Sequence, residues 1–182
     1  MSLALGLVEF KTVPVAVAAT DEMLKASEVE LILASPVCPG KFITLVSGPV
    51  AEVTTAVTKA CDAGNIFVVE SHVIANVDNA VIPAVSGTNY VEKIEALGLI
   101  ETFAAVSAIW AGDAIAKSAN VSLLEIRLAR GLGGKGEVIF TGQLGPVEAA
   151  SRAAQDRLER DGSIVSSVVI PRPHKALWGA LA

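Results

Sequence analysis

The residues with the clearest chemical potential lie in one tight turn, residues 36–41, which reads Pro-Val-Cys-Pro-Gly-Lys. Two prolines and a glycine favour a rigid, non-helical turn between two strands. A thiol at the tip of such a turn is accessible to metals and oxidants in a way that a packed core thiol is not. Cys38 is therefore a candidate metal ligand, although a free thiol in a tight turn is the simpler interpretation of the local sequence.

One suitable cysteine per chain is too few for a metal centre, because iron–sulfur and zinc sites need about four ligands. A threefold axis removes this difficulty, since three copies of Cys38 would converge on one point and a small molecule or water could be the fourth ligand. The other cysteine, Cys61, lies on the apolar stripe of a predicted helix and is expected to be a buried structural thiol. His72 and His174 are far apart and accompany no nucleophile motif, so a hydrolytic triad is not supported.

A second glycine-rich loop, residues 130–135, reads Arg-Gly-Leu-Gly-Gly-Lys. It resembles a phosphate-binding loop only superficially, because it lacks the Walker spacing and has no Ser or Thr after the lysine. Taken locally, a β-hairpin glycine turn is the stronger interpretation. The loop aligns with the Cys38 turn in an internal repeat, so the two loops are expected to face one axis as a mixed ring.

That internal repeat fills the chain and must position both loops. Residues 4–9 read Ala-Leu-Gly-Leu-Val-Glu and residues 96–101 read Ala-Leu-Gly-Leu-Ile-Glu, an offset of 92. The offset is 94 between the Gly-Lys pairs that begin at Gly40 and Gly134, so a two-residue insertion lies near residue 130. Because insertions belong in loops, we predict two related domains, residues 1–84 and 95–182, joined by a linker at 85–94.

Each repeat is predicted to have the order β-α-β-β-α-β, the ferredoxin-like pattern of an α+β sandwich. Apolar alternation, turn residues and helical periodicity place the elements. In the first repeat the strands are predicted at 4–10, 29–36, 41–47 and 65–74, and the helices at 15–27 and 50–62, with a short helical turn near 77–81. In the second repeat the strands are predicted at 96–102, 121–129, 136–142 and 163–170, and the helices at 106–119 and 146–160.

Composition narrows the class of protein. The 182 residues are 52% hydrophobic but only 4% aromatic, so two small cores of aliphatic residues are expected, supported by contacts between subunits. A net charge of -5 without a basic run argues against nucleic-acid binding. Charged residues interrupt every apolar stretch, and no signal peptide is recognised, so a cytosolic protein with reduced thiols is expected.

Several of these features together resemble the bacterial microcompartment shell proteins. They are the repeated Ala-Leu-Gly-Leu motif, the Asp-x-x-x-Lys pattern of the first helix of each repeat, the Gly-Lys loops, and Val-Ile-Pro-Arg-Pro-His at 169–174. Two domains in one chain are similar to the tandem-domain, trimer-forming class, in its non-permuted order. The resemblance implies a structural protein rather than an enzyme, in which three chains form a pseudohexameric disc and discs tile into a polyhedral shell.

The resemblance also implies roles for individual residues. A central opening would be lined by the two loops, through Val37, Cys38, Pro39, Gly40, Arg130, Gly131, Leu132, Gly133 and Gly134. The turn at residues 38–42 is similar to that of a class member that holds a 4Fe–4S cluster on its threefold axis through one cysteine per chain. Lys25 and Lys117 match the edge lysine of the family and Arg172 its edge arginine, which the first repeat lacks at Asn76.

Three functional hypotheses remain open at this point. The first is a shell tile whose axial 4Fe–4S cluster, bound by Cys38, carries electrons across the shell. Its partners would be two further copies of the chain, other shell proteins and a luminal or cytosolic redox enzyme, with no nucleic acid or membrane. The second is a tile with an open pore for small polar metabolites, and the third is a ferredoxin-like redox or regulatory protein that does not tile.

Overall fold

The computed structural model describes residues 3–91, 94–158 and 163–177. The first repeat consists of β1 (Ala4–Phe10), α1 (Val13–Ala26), β2 (Glu30–Val37), β3 (Lys41–Gly48), α2 (Val50–Gly64) and β4 (Val68–Ile74). A short helix, α3 (Val81–Val85), follows. The second repeat consists of β5 (Ala96–Thr102), α4 (Ala105–Ser118), β6 (Ser122–Leu128), β7 (Gly136–Gly142), α5 (Leu144–Leu158) and β8 (Ile164–Ile170).

Both repeats form four-stranded antiparallel sheets with the same strand order. The first sheet has the order β2-β3-β1-β4 and the second has β6-β7-β5-β8. The first strand of each repeat is therefore central, which explains why the Ala-Leu-Gly-Leu motif is so apolar: β1 is buried along its whole length. The two helices of each repeat cover one face of its sheet. The predicted ferredoxin-like pattern is confirmed in both halves.

Element boundaries differ from the predictions mainly around the helices. A 3₁₀ turn at Asn65–Phe67 follows α2, so β4 begins at Val68 instead of residue 65. Asn65 itself has a φ of +44°, which interrupts the extended backbone that the apolar sequence predicts. The helical turn predicted near 77–81 is α3, which begins only at Val81. The last two residues of the helix predicted at 146–160 lie outside the described residues.

Small residues let the layers approach closely. A Cβ added at Gly6 of β1 would lie 2.8 Å from a methyl group of Val57 on α2. At the equivalent Gly98 of β5, the added atom would lie 2.2 Å from the ring of Phe140 on β7. The glycine of the repeated motif is therefore required by packing, since any side chain there would overlap with its neighbours.

One hydrophobic cluster lies between the first sheet and its own helices, and another spans both repeats. A single cluster of buried residues includes Leu5 and Leu45 from the first repeat and Ile109 and Ile126 from the second. The asymmetry between the equivalent helices shows where the repeats meet: ten residues of α4 are buried, against four of α1. Helix α4 therefore lies at the joint between the repeats, and α1 lies at a free end.

The connection between the repeats is held by side-chain hydrogen bonds. Asn89 Nδ2 donates to the carbonyl of Ala80 at 3.1 Å and to that of Leu123 at 3.0 Å, which ties the segment after α3 to β6. Across the described parts of the chain, we find no helix with the length and apolar character needed to cross a membrane.

Candidate functional site

Cys38 lies at the tip of the hairpin between β2 and β3. The residue is exposed and its thiol is free. The Gly40 N–H donates to the Val37 carbonyl at 3.0 Å and closes the turn. Gly40 has a φ of +87°, a backbone conformation that favours glycine, and the Cys38–Pro39 peptide bond is cis. The local sequence thus holds one thiol in a defined position at the surface of the chain.

The matching loop of the second repeat, residues 129–135, joins β6 to β7 and contains the insertion found by the repeat alignment. Its base is closed by the Ala129 N–H, which donates to the Lys135 carbonyl at 3.0 Å. Arg130 is exposed at the start of the loop. Positive φ angles, which favour glycine, occur at Gly131, Gly133 and Gly134.

The two loops touch each other within one chain. A Cβ added at Gly134 would lie 2.9 Å from Pro39 Cδ and 3.3 Å from the Cys38 carbonyl oxygen. Lys41 Nζ donates to the Gly134 carbonyl at 3.5 Å. The equivalent loops of neighbouring repeats are therefore side by side, as they must be if repeats follow one another around a common centre.

The residues predicted to line a central opening differ in exposure. Val37 is only 8% exposed and contributes its side chain to the shared core, and Gly134 is covered by the Cys38 turn. Leu132 is half-buried. The exposed members of the set are Cys38, Pro39, Gly40, Arg130, Gly131 and Gly133. These six are the residues of one chain that are free to face an axial opening.

A single chain does not hold a metal at this turn. Among residues 3–91, 94–158 and 163–177, no group of three or more His, Cys, Asp or Glu side chains could surround an ion. Cys38 fits an iron–sulfur cluster only as one ligand contributed by each of several chains, since thiolates are the usual ligands of such clusters. Its exposed position at a hairpin tip is compatible with that use, whereas Cys61 is half-buried on α2.

A buried carboxylate joins the two repeats beside the loops. Glu9 on β1 is fully buried, and its Oε1 accepts from Lys41 Nζ at 2.7 Å. Its Oε2 accepts from the backbone N–H groups of Ala105 and Val106, at 2.7 and 3.3 Å. These N–H groups begin α4, so the carboxylate of one repeat caps a helix of the other, where the helix dipole favours negative charge.

A second polar cluster lies along the same joint. Glu70 on β4 accepts from the hydroxyl of Ser107 on α4 at 2.6 Å and also contacts His72 Nε2. Burial raises the pKa of the Glu70 carboxyl, but the hydrogen bonds from His72 and Ser107 outweigh it, so the pKa is lowered overall. The His72 ring stacks on Trp110 with 4.3 Å between ring centroids.

The predicted edge residues lie at the ends of helices and after the last strand. Lys25 is exposed at the end of α1 and pairs with Asp21, and this hydrogen bond raises the pKa of Lys25. Lys117 pairs with Asp113 at 2.7 Å and donates to the Ala75 carbonyl of the first repeat at 3.4 Å. Arg172 is exposed just beyond β8. Their role at tile edges remains a prediction.

The glutamates that join the repeats are the structural residues that sequence reasoning missed. Glu9 ends the first copy of the Ala-Leu-Gly-Leu motif and Glu101 ends the second, so the repeat itself contained the signal. A charged residue on a central, otherwise apolar strand needs a partner when it is buried. Glu70, His72 and Trp110 have no counterpart of the same type in the repeat, so alignment of the two halves did not reveal them.

Comparison with known proteins identifies the family. The chain matches the BMC domain twice, over residues 4–77 and 96–173. It is 35% identical over 178 residues to the bacterial microcompartment shell protein PduT of Citrobacter freundii, covering 98% of this chain and 97% of that one. It is also 43% identical to the carboxysome shell protein CsoS1C of Hydrogenovibrio crunogenus over 88 residues, which are 48% of this chain and 84% of that protein.

Solved structures agree with these matches. The crystal structure of a microcompartment protein from Desulfitobacterium hafniense DCB superposes with a TM-score of 0.88 at 40% identity, covering 98% of this chain and 99% of that chain. The fused permuted hexameric shell protein MSM0275 shares the fold, with a TM-score of 0.66 at 23% identity and coverage of 87% and 82%. The chain is a structural shell protein and not an enzyme, and it belongs to the bacterial microcompartment shell proteins with two BMC domains in tandem.

Proposed function

We propose that three copies of this chain form a pseudohexameric tile whose axis holds a 4Fe–4S cluster bound by Cys38, and that the tile moves electrons across a microcompartment shell. The observation that carries the proposal is the arrangement of the two loops. The Cys38 turn touches the loop of the next repeat, so continuing the same arrangement through three chains gathers three Cys38 turns around one centre.

The joint between the repeats is heterologous, which favours ring closure. Helix α4 of the second repeat packs on β1 and β4 of the first, whereas in the described parts of the chain α1 and β8 make their main contacts within their own repeats. A head-to-tail contact of this kind repeats until the ring closes. Because the first repeat has a free α1 and the second has a free β8, the end of one copy matches the beginning of the next.

The surfaces of α1 and β8 that correspond to the joint between the repeats carry exposed aliphatic residues. On α1, Val17 is 54% exposed, whereas Ile109 at the equivalent position of α4 is fully buried. On β8, Val165 and Val168 are 37% and 51% exposed. Exposed aliphatic residues on both matching surfaces support burial against a second copy, because their removal from water drives association.

The cluster would be held by residues that the chain already presents. Three Cys38 thiolates supply three ligands, and a small molecule or water supplies the fourth. When bound, a 4Fe–4S cluster accepts and donates single electrons. Cys38 fits this use because its turn is rigid and exposed, and because the neighbouring Gly134 lacks a side chain that would crowd the Cys38 carbonyl.

The tile would act together with other proteins. The exposed Lys25 and Arg172, with Lys117, are proposed to contact neighbouring tiles and other shell proteins of the same compartment. A redox enzyme on the luminal or the cytosolic side is proposed to exchange electrons with the axial site. This places the protein in a microcompartment shell within the cytoplasm.

Anaerobic reconstitution tests the proposal. We expect purified protein treated with iron and sulfide to take up about four iron atoms per three chains and to give an EPR signal after reduction. Cys38→Ser should abolish the signal, and Cys61→Ser, the matched control, should keep it. Retention of the full signal by Cys38→Ser would remove the site assignment, and iron near zero in anaerobically prepared wild-type protein would favour an open pore instead.

A further inference from the structure

We propose that neighbouring chains are fastened by a polar contact in which the Glu101 carboxylate of one copy accepts hydrogen bonds from Thr12 and Val13 of the next copy. This inference rests on the proposed trimer, because it needs a second copy to supply α1. It identifies which groups close the ring beside the apolar contact, and it predicts that the joint between chains differs chemically from the joint within a chain.

The contact within the chain provides the template. Glu9 pairs with Lys41 at 2.7 Å and accepts from the first two N–H groups of α4. In the repeat alignment, Glu101 takes the place of Glu9 and Lys135 that of Lys41. Glu101 and Lys135 already form the corresponding ion pair, at 2.6 Å. Half of the arrangement is therefore assembled in the second repeat.

The other half is missing from the single chain. The Glu101 side chain is 24% exposed, whereas Glu9 is fully buried beneath the amino end of α4. The helix that corresponds to α4 at this position is α1 of another copy, and its amino end is at Val13.

The amino end of α1 lacks one backbone donor that α4 has, and it carries a hydroxyl that α4 lacks. Pro14 occupies the position of Val106, so the second backbone N–H donor of the template is absent. Thr12 occupies the position of Ala104 and adds a hydroxyl next to the remaining donor, the Val13 N–H. A hydroxyl can donate to a carboxylate as a backbone N–H does, so two donors are again available.

The state of Thr12 in the single chain supports this assignment. Thr12 is the N-cap residue of α1, but its side chain makes no capping hydrogen bond. Its Oγ1 is buried and has no hydrogen-bond partner in the part of the chain that the structure describes. A buried hydroxyl without a partner is unfavourable, and a carboxylate arriving from the next copy would satisfy it.

Trimer dissociation measured by analytical ultracentrifugation over a dilution series tests the contact. The samples are the wild type, Thr12→Val, Glu101→Gln and the double variant. Thr58→Val is the matched control, on the exposed side of α2, where the Thr58 hydroxyl donates to the Thr54 carbonyl of the same helix. If each joint becomes about tenfold weaker, the association constant of the three-joint ring falls about a thousandfold and the half-dissociation concentration rises about thirtyfold.

The expected result is weaker trimers for both single variants and a double variant no weaker than Glu101→Gln alone. Thr58→Val should behave as the wild type, and so should Thr12→Ser, which keeps the hydroxyl. Urea unfolding checks that Thr12→Val remains folded. If Thr12→Val formed trimers as tight as the wild type, the contact would be wrong although the trimer itself would remain supported. The same conclusion would follow if the effects of Thr12→Val and Glu101→Gln on trimer dissociation were fully additive. A wild-type protein that is monomeric at every concentration would overturn the trimer as well.

Discussion

Replacement of Glu9 by glutamine should destabilise the chain far more than a typical glutamate substitution. Glu9 is fully buried and joins three donors: Lys41 Nζ on its own repeat and two backbone N–H groups of α4 on the other. Glutamine has the same shape, but its amide presents an NH₂ group where a carboxylate oxygen accepts. At least one of the three donors then faces another donor, and Lys41 loses its countercharge.

The size of the expected loss in the free energy of unfolding follows from these contacts. A hydrogen bond to a charged group contributes about 1.5–3 kcal/mol, and removal of one partner from a buried ion pair costs about 3–5 kcal/mol. Lys41 retains some contact with water, at 22% exposure, which moderates the loss. We therefore expect Glu9→Gln to lower the free energy of unfolding by about 3 kcal/mol, a large fraction of the stability of a small protein.

Urea unfolding followed by circular dichroism measures this change. The matched control is Glu148→Gln on the exposed side of α5, which should stay within about 0.5 kcal/mol of the wild type. Adding Lys41→Met to Glu9→Gln should recover part of the loss, because it removes the unpaired ammonium group. A loss below about 1 kcal/mol for Glu9→Gln would refute the reasoning that this carboxylate holds the repeats together.

Three further predictions concern packing, pH and assembly. Gly98→Ala should lower the free energy of unfolding by about 1–3 kcal/mol in urea titrations, because its methyl group would meet a phenyl ring at 2.2 Å. The lowered pKa of Glu70 means that its stabilising contribution is present above the ordinary glutamate pKa of 4.5 and is lost as pH falls through the folded-state value. Wild-type protein should therefore lose more stability between pH 7 and pH 3 than Glu70→Gln. Lys25→Ala and Arg172→Ala should abolish extended sheets in electron micrographs while single tiles persist in ultracentrifugation.

Each of these predictions has a control and an opposing result. Gly145→Ala, at a position with open space around the added Cβ, should be neutral or stabilising, and equal losses at Gly98 and Gly145 would contradict the packing argument. Parallel pH profiles for wild type and Glu70→Gln would show that Glu70 has no such role. Extended sheets formed by both edge variants would remove the edge assignment.

The repeat made much of the fold predictable. Two copies of one motif aligned the strands and helices of both halves, and each slip in the offset marked a loop. The tight turns at Gly40 and in residues 129–135 could be predicted from the sequence, because proline restricts the backbone angles and glycine permits unusual ones. Short α3 was placed a few residues early, because a five-residue helix has too little periodicity to locate its start.

Contacts between the repeats could not be derived in the same way. Glu9 and Ala105 are 96 positions apart, and nothing in either local sequence specifies that they meet. Alignment of the halves also treats equivalent positions as alike, whereas α1 and α4 have opposite surroundings in the chain. The starts of these two helices differ in sequence, with Thr12 and Pro14 in α1 against Ala104 and Val106 in α4. The difference can be interpreted only when the contact between the repeats is known.

The positions of the three Cys38 sulfur atoms in the assembled protein test the central claim most directly. A crystal structure of anaerobically reconstituted protein should show a three-chain ring with each Cys38 Sγ bonded to one shared axial cluster, at the metal–thiolate distance of about 2.3 Å. Three Cys38 side chains directed away from the axis, or a ring in which they are tens of ångströms apart, would contradict the account.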